Sequence, residues 1–442
     1  MLHLTLEDWA RRYGDTYCFY LGPRPILVIS NAETVRKVLV DRPTTFRRMR
    51  KLAVVMRDMK MLGVFAAEGE AWRRQRKLLS PGFQSAHLET FYPSLATITQ
   101  RLRSLLEREA QQGSAVDILP LLFRYTVDVT SIVSFGSDLD TLQKGPDALH
   151  ALLEHILPAI QQRLVAPFPY WRMMPSAWRI ERTLKQLRKV LQELIDSARS
   201  TLEREPERLA TPRTLLDAML AARDEEGGMT HFTDDEVFAN VLTLLLAGED
   251  NSAITQTWIL YYLALMPAVQ ARARQEVDEV LGTAVQPTLE HLKKMPYMAG
   301  MAQEALRLRS PTPLIYLEAN EATVVGDVAV PAGSMVIPLT RLPCLDNSLF
   351  GDAEHFRPER WMTPSPPDTQ PHHARQMMAF GAGGRVCPGR ALSLMEIGTV
   401  TGMVLRHFIL EVADPTAPVT ELNVFSVQPE GVRVRFKPRA AA

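Results

Sequence analysis

Residues 233–266 constrain the fold of this chain more than any other stretch. Thr233 and Glu236 make the Thr-x-x-Glu pair that opens a helix, and Pro267 stops it just after Met266. Roughly thirty residues at about 1.5 Å each span about 45 to 50 Å, the width of a whole domain, so such a helix has to run through the core. Residues 241–247 are almost wholly apolar, yet Gly248, Glu249, Asp250, Asn251 and Ser252 follow directly. That polar step excludes a membrane span. It is also costly, because a mid-helix glycine loses about 1 kcal/mol against alanine and buried acids lose more. Either one helix carries a functional interruption, or one helix ends at Gly248 and a second is capped by Asp250 or Ser252.

Around it the pattern is mainly helical with small β-sheets. Apolar residues recur at spacings of three and four over residues 88–109, from 161–163 onward through 182–202, and over 268–280. Residues 16–21 and 26–30, around Pro23 and Pro25, read as a hairpin, and a second is expected within 419–436 around Pro429, Glu430 and Gly431. No Gly/Ser linker or internal repeat divides the 442 residues, so we read 1–442 as a single domain. With 50 basic and 50 acidic residues the net charge is zero, which removes any bulk electrostatic case for nucleic acid or an anionic membrane. The N-terminus lacks the basic and apolar regions of a signal peptide and is too short in apolar residues to span a bilayer. A soluble, cytoplasmic protein without a membrane anchor is the expectation.

Residues 380–389 read Phe-Gly-Ala-Gly-Gly-Arg-Val-Cys-Pro-Gly. Glycine occupies four of the ten positions, freeing the backbone to adopt positive φ and turn amides toward the sulfur of Cys387, where they would stabilise an anion. The helical segment that starts at Arg390 adds its positive N-terminal end, further favouring thiolate over thiol. Cys18 and Cys344 lie far away in sequence, and the three cysteines form neither a disulfide framework nor a zinc pattern, as in a reducing compartment. A lone cysteine is usually a small buried hydrophobe, so a ligand reading depends on its neighbours.

Those neighbours are specific. Phe380, Gly383, Arg385, Cys387 and Gly389 resemble, position for position, the haem-binding loop of the cytochrome P-450 family. The resemblance implies the single-domain fold of that family and a b-type haem, with Cys387 as the axial thiolate on the metal, Phe380 over the sulfur side and Arg385 on a propionate. A thiolate pushes electron density onto iron and favours O–O cleavage, which suits an oxygenase. Ala247, Gly248, Glu249 and Asp250 resemble the family's oxygen-binding helix, where a small residue leaves room for O2, and this favours the uninterrupted helix. There the acid is normally followed by a threonine that relays protons; here the residue is Asn251, whose amide cannot pass a proton as a hydroxyl does. Ser252 is turned about 100° away and Thr255 lies on the same face one turn on. Asp250 is expected still to supply protons, with a water held by Asn251, or a substrate hydroxyl, standing in for the alcohol.

Glu304 and Arg307 share a helical face, and alone would be an ordinary surface pair worth under about 1 kcal/mol. Followed by Leu308, Pro311 and Pro313, they resemble the family's Glu-x-x-Arg helix, and Phe356, Pro358, Glu359, Arg360 and Trp361 resemble its later loop. The resemblance implies a structural lock of Glu304, Arg307 and Arg360 behind the haem. Trp72 and Arg76 resemble the helix that meets a propionate, whereas Leu317 stands where many relatives place a propionate-binding arginine.

The expected activity is that of a soluble, bacterial-type haem-thiolate monooxygenase. It would hydroxylate or epoxidise a hydrophobic small molecule such as a fatty acid, terpenoid, steroid or polyketide. O2 is the oxidant, and the protein acts as a monomer. Electrons would come from a separate ferredoxin or flavodoxin with its NAD(P)H reductase, and Arg73, Arg74, Lys77 and Arg390 form either its docking face or a solvated basic face. Residues 61–65, 244–248 and 312–317 would line the pocket; Met49, Met56, Met59, Met61, Met173 and Met174 either form a pliable entrance or simply fill gaps, and Arg47, Arg48, Arg50 and Lys51 either face solvent or hold an acidic substrate end. The alternatives are a peroxide-dependent peroxygenase or isomerase built on the same loop, or a haem sensor without catalysis. A sensor does not explain the polar step.

Overall fold

The computed structural model describes residues 1–145, 148–153, 155–166, 168–169, 171, 175–223 and 231–439. The capping box forms as expected: the Glu236 amide donates to Thr233 Oγ1 at 3.3 Å, and the Thr233 amide donates to Glu236 Oε2 at 3.0 Å. The core helix then runs unbroken over Asp234–Leu265, 32 residues or about 48 Å. No second cap forms at Asp250 or Ser252. The helix is buried on most sides, which is why its apolar residues form no single stripe. The helices Ile118–Phe135, Pro296–Leu308 and Arg390–His407 pack against it. Ile118–Phe135 is long and apolar enough to cross a bilayer, but it spends that apolar surface on the protein's own core.

Small sheets flank the helical body. Thr16–Leu21 and Arg24–Ile29 form the predicted hairpin and continue through Met335–Pro338 and Leu317–Ala319 to Phe46–Arg48, in that order. The C-terminal hairpin departs from expectation. Thr420–Asn423 pairs with Val427–Glu430, so the turn lies at residues 424–426, and Pro429 sits inside a strand opposite Glu421. In a sheet of only two strands the missing proline N–H breaks no further ladder. Gly431, at φ +85°, instead turns the chain out of the hairpin. Arg433–Pro438 then joins Phe408–Val412 and Ala115–Asp117 in another sheet. Met56, Met59 and Met61 are buried in the core and fill gaps there rather than forming an entrance. Met173 and Met174 lie outside the described residues.

Candidate active site

The cysteine loop is held from both ends. The Cys387 amide donates to Phe380 O at 2.9 Å, Arg76 Nη2 donates to Val386 O at 2.9 Å, and the Arg390 guanidinium lies 5.7 Å from the Phe380 ring centre. Gly381 (φ +77°) and Gly383 (φ +66°) need their left-handed backbone, and a Cβ on Gly383 would come within 2.7 Å of Val40 Cα. Gly384 and Gly389 have no positive φ; a Cβ on Gly384 would press on Trp72 at 3.2 Å, and one on Gly389 would lie 3.9 Å from the Cys387 sulfur. Cys387 is surrounded by protein yet has exposed surface, so its sulfur opens onto a cleft. Burial pushes its thiol up, and the amides of Gly389 and Arg390 with the Arg76 charge offset this only in part. The loop amides alone do not outweigh burial, so a metal ion held by the sulfur would complete the deprotonation.

Beside the loop, the Arg385 guanidinium stacks 4.2 Å over the buried Trp72 ring and donates to Ala67 O at 2.8 Å and to the Glu68 carboxylate. Its Nε is buried without a partner. Burial holds the Arg385 pKa down at about 10.

On the core helix, Ala247 and Asn251 are exposed although Leu245, Leu246, Glu249 and Ser252 around them are buried. Positions four apart share a face, so this stripe is the helix's wall of the cleft. Gly248 faces elsewhere: a Cβ there would lie 2.4 Å from Thr130 Oγ1, so its smallness serves packing against Ile118–Phe135, and Ala247 is the small residue at the cleft. Glu249 is likewise placed in the scaffold, with its carbonyl accepting from Thr126 Oγ1 at 2.7 Å. Asp250 is pushed up to about 6 by burial. Asn251 Oδ1 accepts from Ser426 Oγ at 3.4 Å, which ties the oxygen-side residue to the turn of the C-terminal hairpin. Thr255 is spent on its own helix, donating to Asn251 O at 2.8 Å. Ser252 turns away from the cleft and bonds Ser393 at 3.0 Å. Beside it Glu396 is pushed up to about 8 by burial, with Ser252 as its hydrogen-bonding neighbour. Ser426 and Glu396 were not singled out in the sequence; neither lies in a residue pattern that marks chemistry.

The packing of Gly248 makes a double test. Gly248→Ala should destabilise, because the strain of about 1 to 3 kcal/mol exceeds the gain of about 1 kcal/mol in helix propensity. In a Thr130→Ala background the same change should become neutral or stabilising, a coupling that denaturant midpoints of the four proteins would report.

The family described as Cytochrome P450 matches residues 1–436. The chain belongs to the cytochrome P450 family. Among proteins similar to it are Protein LUTEIN DEFICIENT 5, chloroplastic, of Arabidopsis thaliana, 26% identical over 94% of this chain and 70% of that one. The Cytokinin hydroxylase of the same plant is 27% identical over 98% and 82%. In structure, this P450 superposes on the cytochrome P450 CYP102L1 with a TM-score of 0.84 and 24% identity, covering 99% and 94% of the two chains. It superposes on the cytochrome P450DA heme domain with a TM-score of 0.86 and 21% identity, covering 99% and 93%. The mainly α fold and the haem-thiolate monooxygenase class follow. Both of these plant relatives are eukaryotic, and the bacterial type expected from the sequence finds no support in them.

The residues of this P450 fit its haem. A sulfur open to a cleft, glycines pressed against Val40 and Trp72, and an Arg385 nitrogen without a protein acceptor are what a flat anionic cofactor requires. Behind the loop, Glu304, Arg307 and Arg360 are all fully buried, so the pair that resembled a surface bridge is an internal lock. Glu304 accepts from Arg307 Nη2 at 2.7 Å, Arg307 Nε at 2.9 Å, Arg360 Nε at 2.9 Å, Trp361 Nε1 at 2.9 Å and the Arg357 amide at 3.0 Å.

Several apolar side chains keep exposed surface. Leu62, Phe65, Leu244 and Phe425 are partly exposed side chains packed on one core cluster, and the Phe65 and Phe425 rings are 6.3 Å apart. Leu317, by contrast, is fully buried and belongs to the sheet core. The basic residues proposed for an acidic substrate end are otherwise engaged. Arg47 and Arg50 pair with Glu318 at 2.6 and 2.9 Å, Arg48 donates to Phe65 O at 2.8 Å, and Lys51 donates to Ala166 O. Arg74 is bound to Glu236, while Arg73, paired with Glu70, stays exposed together with Lys77 and Arg390.

Proposed function

We propose that this P450 oxygenates a hydrophobic small molecule held between the Phe65–Phe425 wall and the Ala247–Asn251 stripe. Electrons would come from a separate ferredoxin or flavodoxin docked near Arg73 and Arg390. The observation that carries the reading is Asp250, an acid pushed up to about 6 directly beside the cleft-facing Asn251. When bound, the haem activates O2, one atom entering the product and the other leaving as water with two electrons and two protons. The chain's own part is to place substrate and protons. The apolar wall desolvates the substrate. The Ser426 hydroxyl holds Asn251 Oδ1, which turns the amide N–H groups free to donate into the cleft. Asp250, pushed up to about 6, carries its proton below that pH and readily gives and regains it near neutrality, and Glu396, pushed up to about 8, keeps one behind Ser252.

Asp250→Asn is expected to lower turnover by about 10²- to 10⁴-fold. In the wild type, turnover should fall as pH rises through about 6, because only the protonated carboxyl donates, and that limb should vanish in the variant. Unchanged turnover and an unchanged pH profile would remove Asp250 from proton delivery. The missing threonine favours a second reading, peroxide-driven oxygenation. Product formed per NAD(P)H consumed in wild type and Asn251→Ala, set beside turnover with peroxide alone, separates the two.

A further inference from the structure

Arg42 carries a charge that the protein itself does not answer. It leaves the end of the helix Ala32–Val40 just before Pro43, is only 6% exposed, and its Nε and Nη2 have no hydrogen-bond partner. A buried unpaired donor is costly, and a charged one more so. Burial depresses its pKa, and the nearby Glu68 offsets this only in part. Two more guanidinia crowd the same place: Arg48 is held down first by burial and then by Arg42 and Arg385, and Arg385 first by burial and then by Arg42 and by Arg76, which itself faces Cys387. Glu68 is the one carboxylate acting on all three, and it is already occupied by Arg385 and by the Arg48 amide at 3.0 Å. Three guanidinia against one carboxylate leave two positive charges unanswered. That is the charge of a ligand with two carboxylates.

Packing brings this cluster to the haem loop. Gly383 lies against Val40, and a Cβ on Gly384 would sit 3.9 Å from Arg42 O, so the cysteine loop rests on the chain segment that carries Arg42. Arg48 stands directly across the sheet from Leu317. Cross-strand partners project to one face, so Arg48 supplies a cation beside the position where the arginine of many relatives is missing.

We propose that Arg42 binds a haem propionate and, with Arg48 and Arg385, forms a three-guanidinium clamp that replaces the arginine absent at Leu317. The clamp is a cofactor-retention device. It makes no contact with reacting atoms.

The test is haem release from holoenzyme to excess apomyoglobin. Arg42→Met should accelerate release about tenfold or more, the loss expected for one charge-assisted hydrogen bond, while Arg42→Lys should give about threefold. In protein reconstituted with the dimethyl ester of the same porphyrin, which has no carboxylates, Arg42→Met and wild type should release within about twofold of each other. The propionate-bending band in the resonance Raman spectrum should shift in Arg42→Met and stay near its wild-type position in Arg42→Lys. Equal acceleration with the ester would show a merely structural residue and overturn the proposal, as would native haem release unchanged in both variants. Should Arg42→Met fail to accumulate, Arg42→Lys on the two porphyrins decides by the same comparison.

Discussion

Cys387→Ala is expected to abolish oxygenation while leaving the fold in place. The loop keeps its shape because its restraints do not involve the sulfur: the Cys387 amide on Phe380 O, Arg76 on Val386 O, and the positive φ of Gly381 and Gly383 all survive the change. What is lost is the ligand. Among the described residues no group of three or more His, Cys, Asp or Glu side chains is placed to hold a metal ion instead. Cys344 cannot substitute, since it is fully enclosed with its thiol pushed up to about 12 by burial, and it belongs to a separate apolar cluster with Phe350 and Ala353. Without thiolate donation the iron loses the electron push that favours O–O cleavage. The checks are turnover per bound haem, the sulfur neighbour seen by X-ray absorption at the iron edge, and far-UV circular dichroism for the fold. Wild-type turnover per haem in Cys387→Ala would refute the assignment of the ligand.

How far such a site can be read from residues depends on whether its partners are local. The Cys387 loop and the Thr233 cap are short patterns contained in a few consecutive residues, and both were legible, whereas Glu304 and Arg307 alone read as a surface pair because Arg360 and Trp361, which make it a buried lock, come from another segment. Long-range contacts were not legible. Gly248 was read as room for O2, but its neighbour is Thr130, more than a hundred residues earlier, and Ala247 has the cleft instead. Ser426 reaches Asn251 only because the C-terminal hairpin turns at residues 424–426 rather than at Pro429 and Gly431. The basic run at residues 47–51 looked available to substrate because its answering groups, Glu318 and the carbonyls of Phe65 and Ala166, come from three other segments. Arg42 left no sequence signal, because an arginine before a proline after a helix is ordinary and only its burial makes it odd.

Glu304→Ala should cost about 3 to 5 kcal/mol, a large part of the roughly 5 to 15 kcal/mol that holds a domain together. Removing the carboxylate strands the fully buried guanidinia of Arg307 and Arg360, together with the Trp361 Nε1 and Arg357 amide donors that also point at it. Glu304→Gln should be nearly as damaging. An amide of the same shape has no charge to answer two cations, and its own N–H groups would face their donors. Replacing a buried ionic triad wholesale by apolar residues often restores stability elsewhere. Here it should fail, because the arginines do a second job. Arg307 donates to Cys344 O at 2.5 Å, Ala353 O at 2.6 Å and His355 O at 3.1 Å, and Arg360 donates to Gly351 O at 2.7 Å and Asp352 O at 3.1 Å. A Glu304→Leu, Arg307→Met, Arg360→Met protein would leave the buried carbonyls of Cys344, Gly351 and Ala353 without these donors, each a further loss of about 1 to 3 kcal/mol. Urea unfolding followed by circular dichroism, with haem content measured on the same samples, should therefore rank wild type above Glu304→Ala and keep the triple variant no better than the single one. A triple variant as stable as wild type would mean that the lock is only a charge balance, and that the loop of residues 344–355 is held by something else.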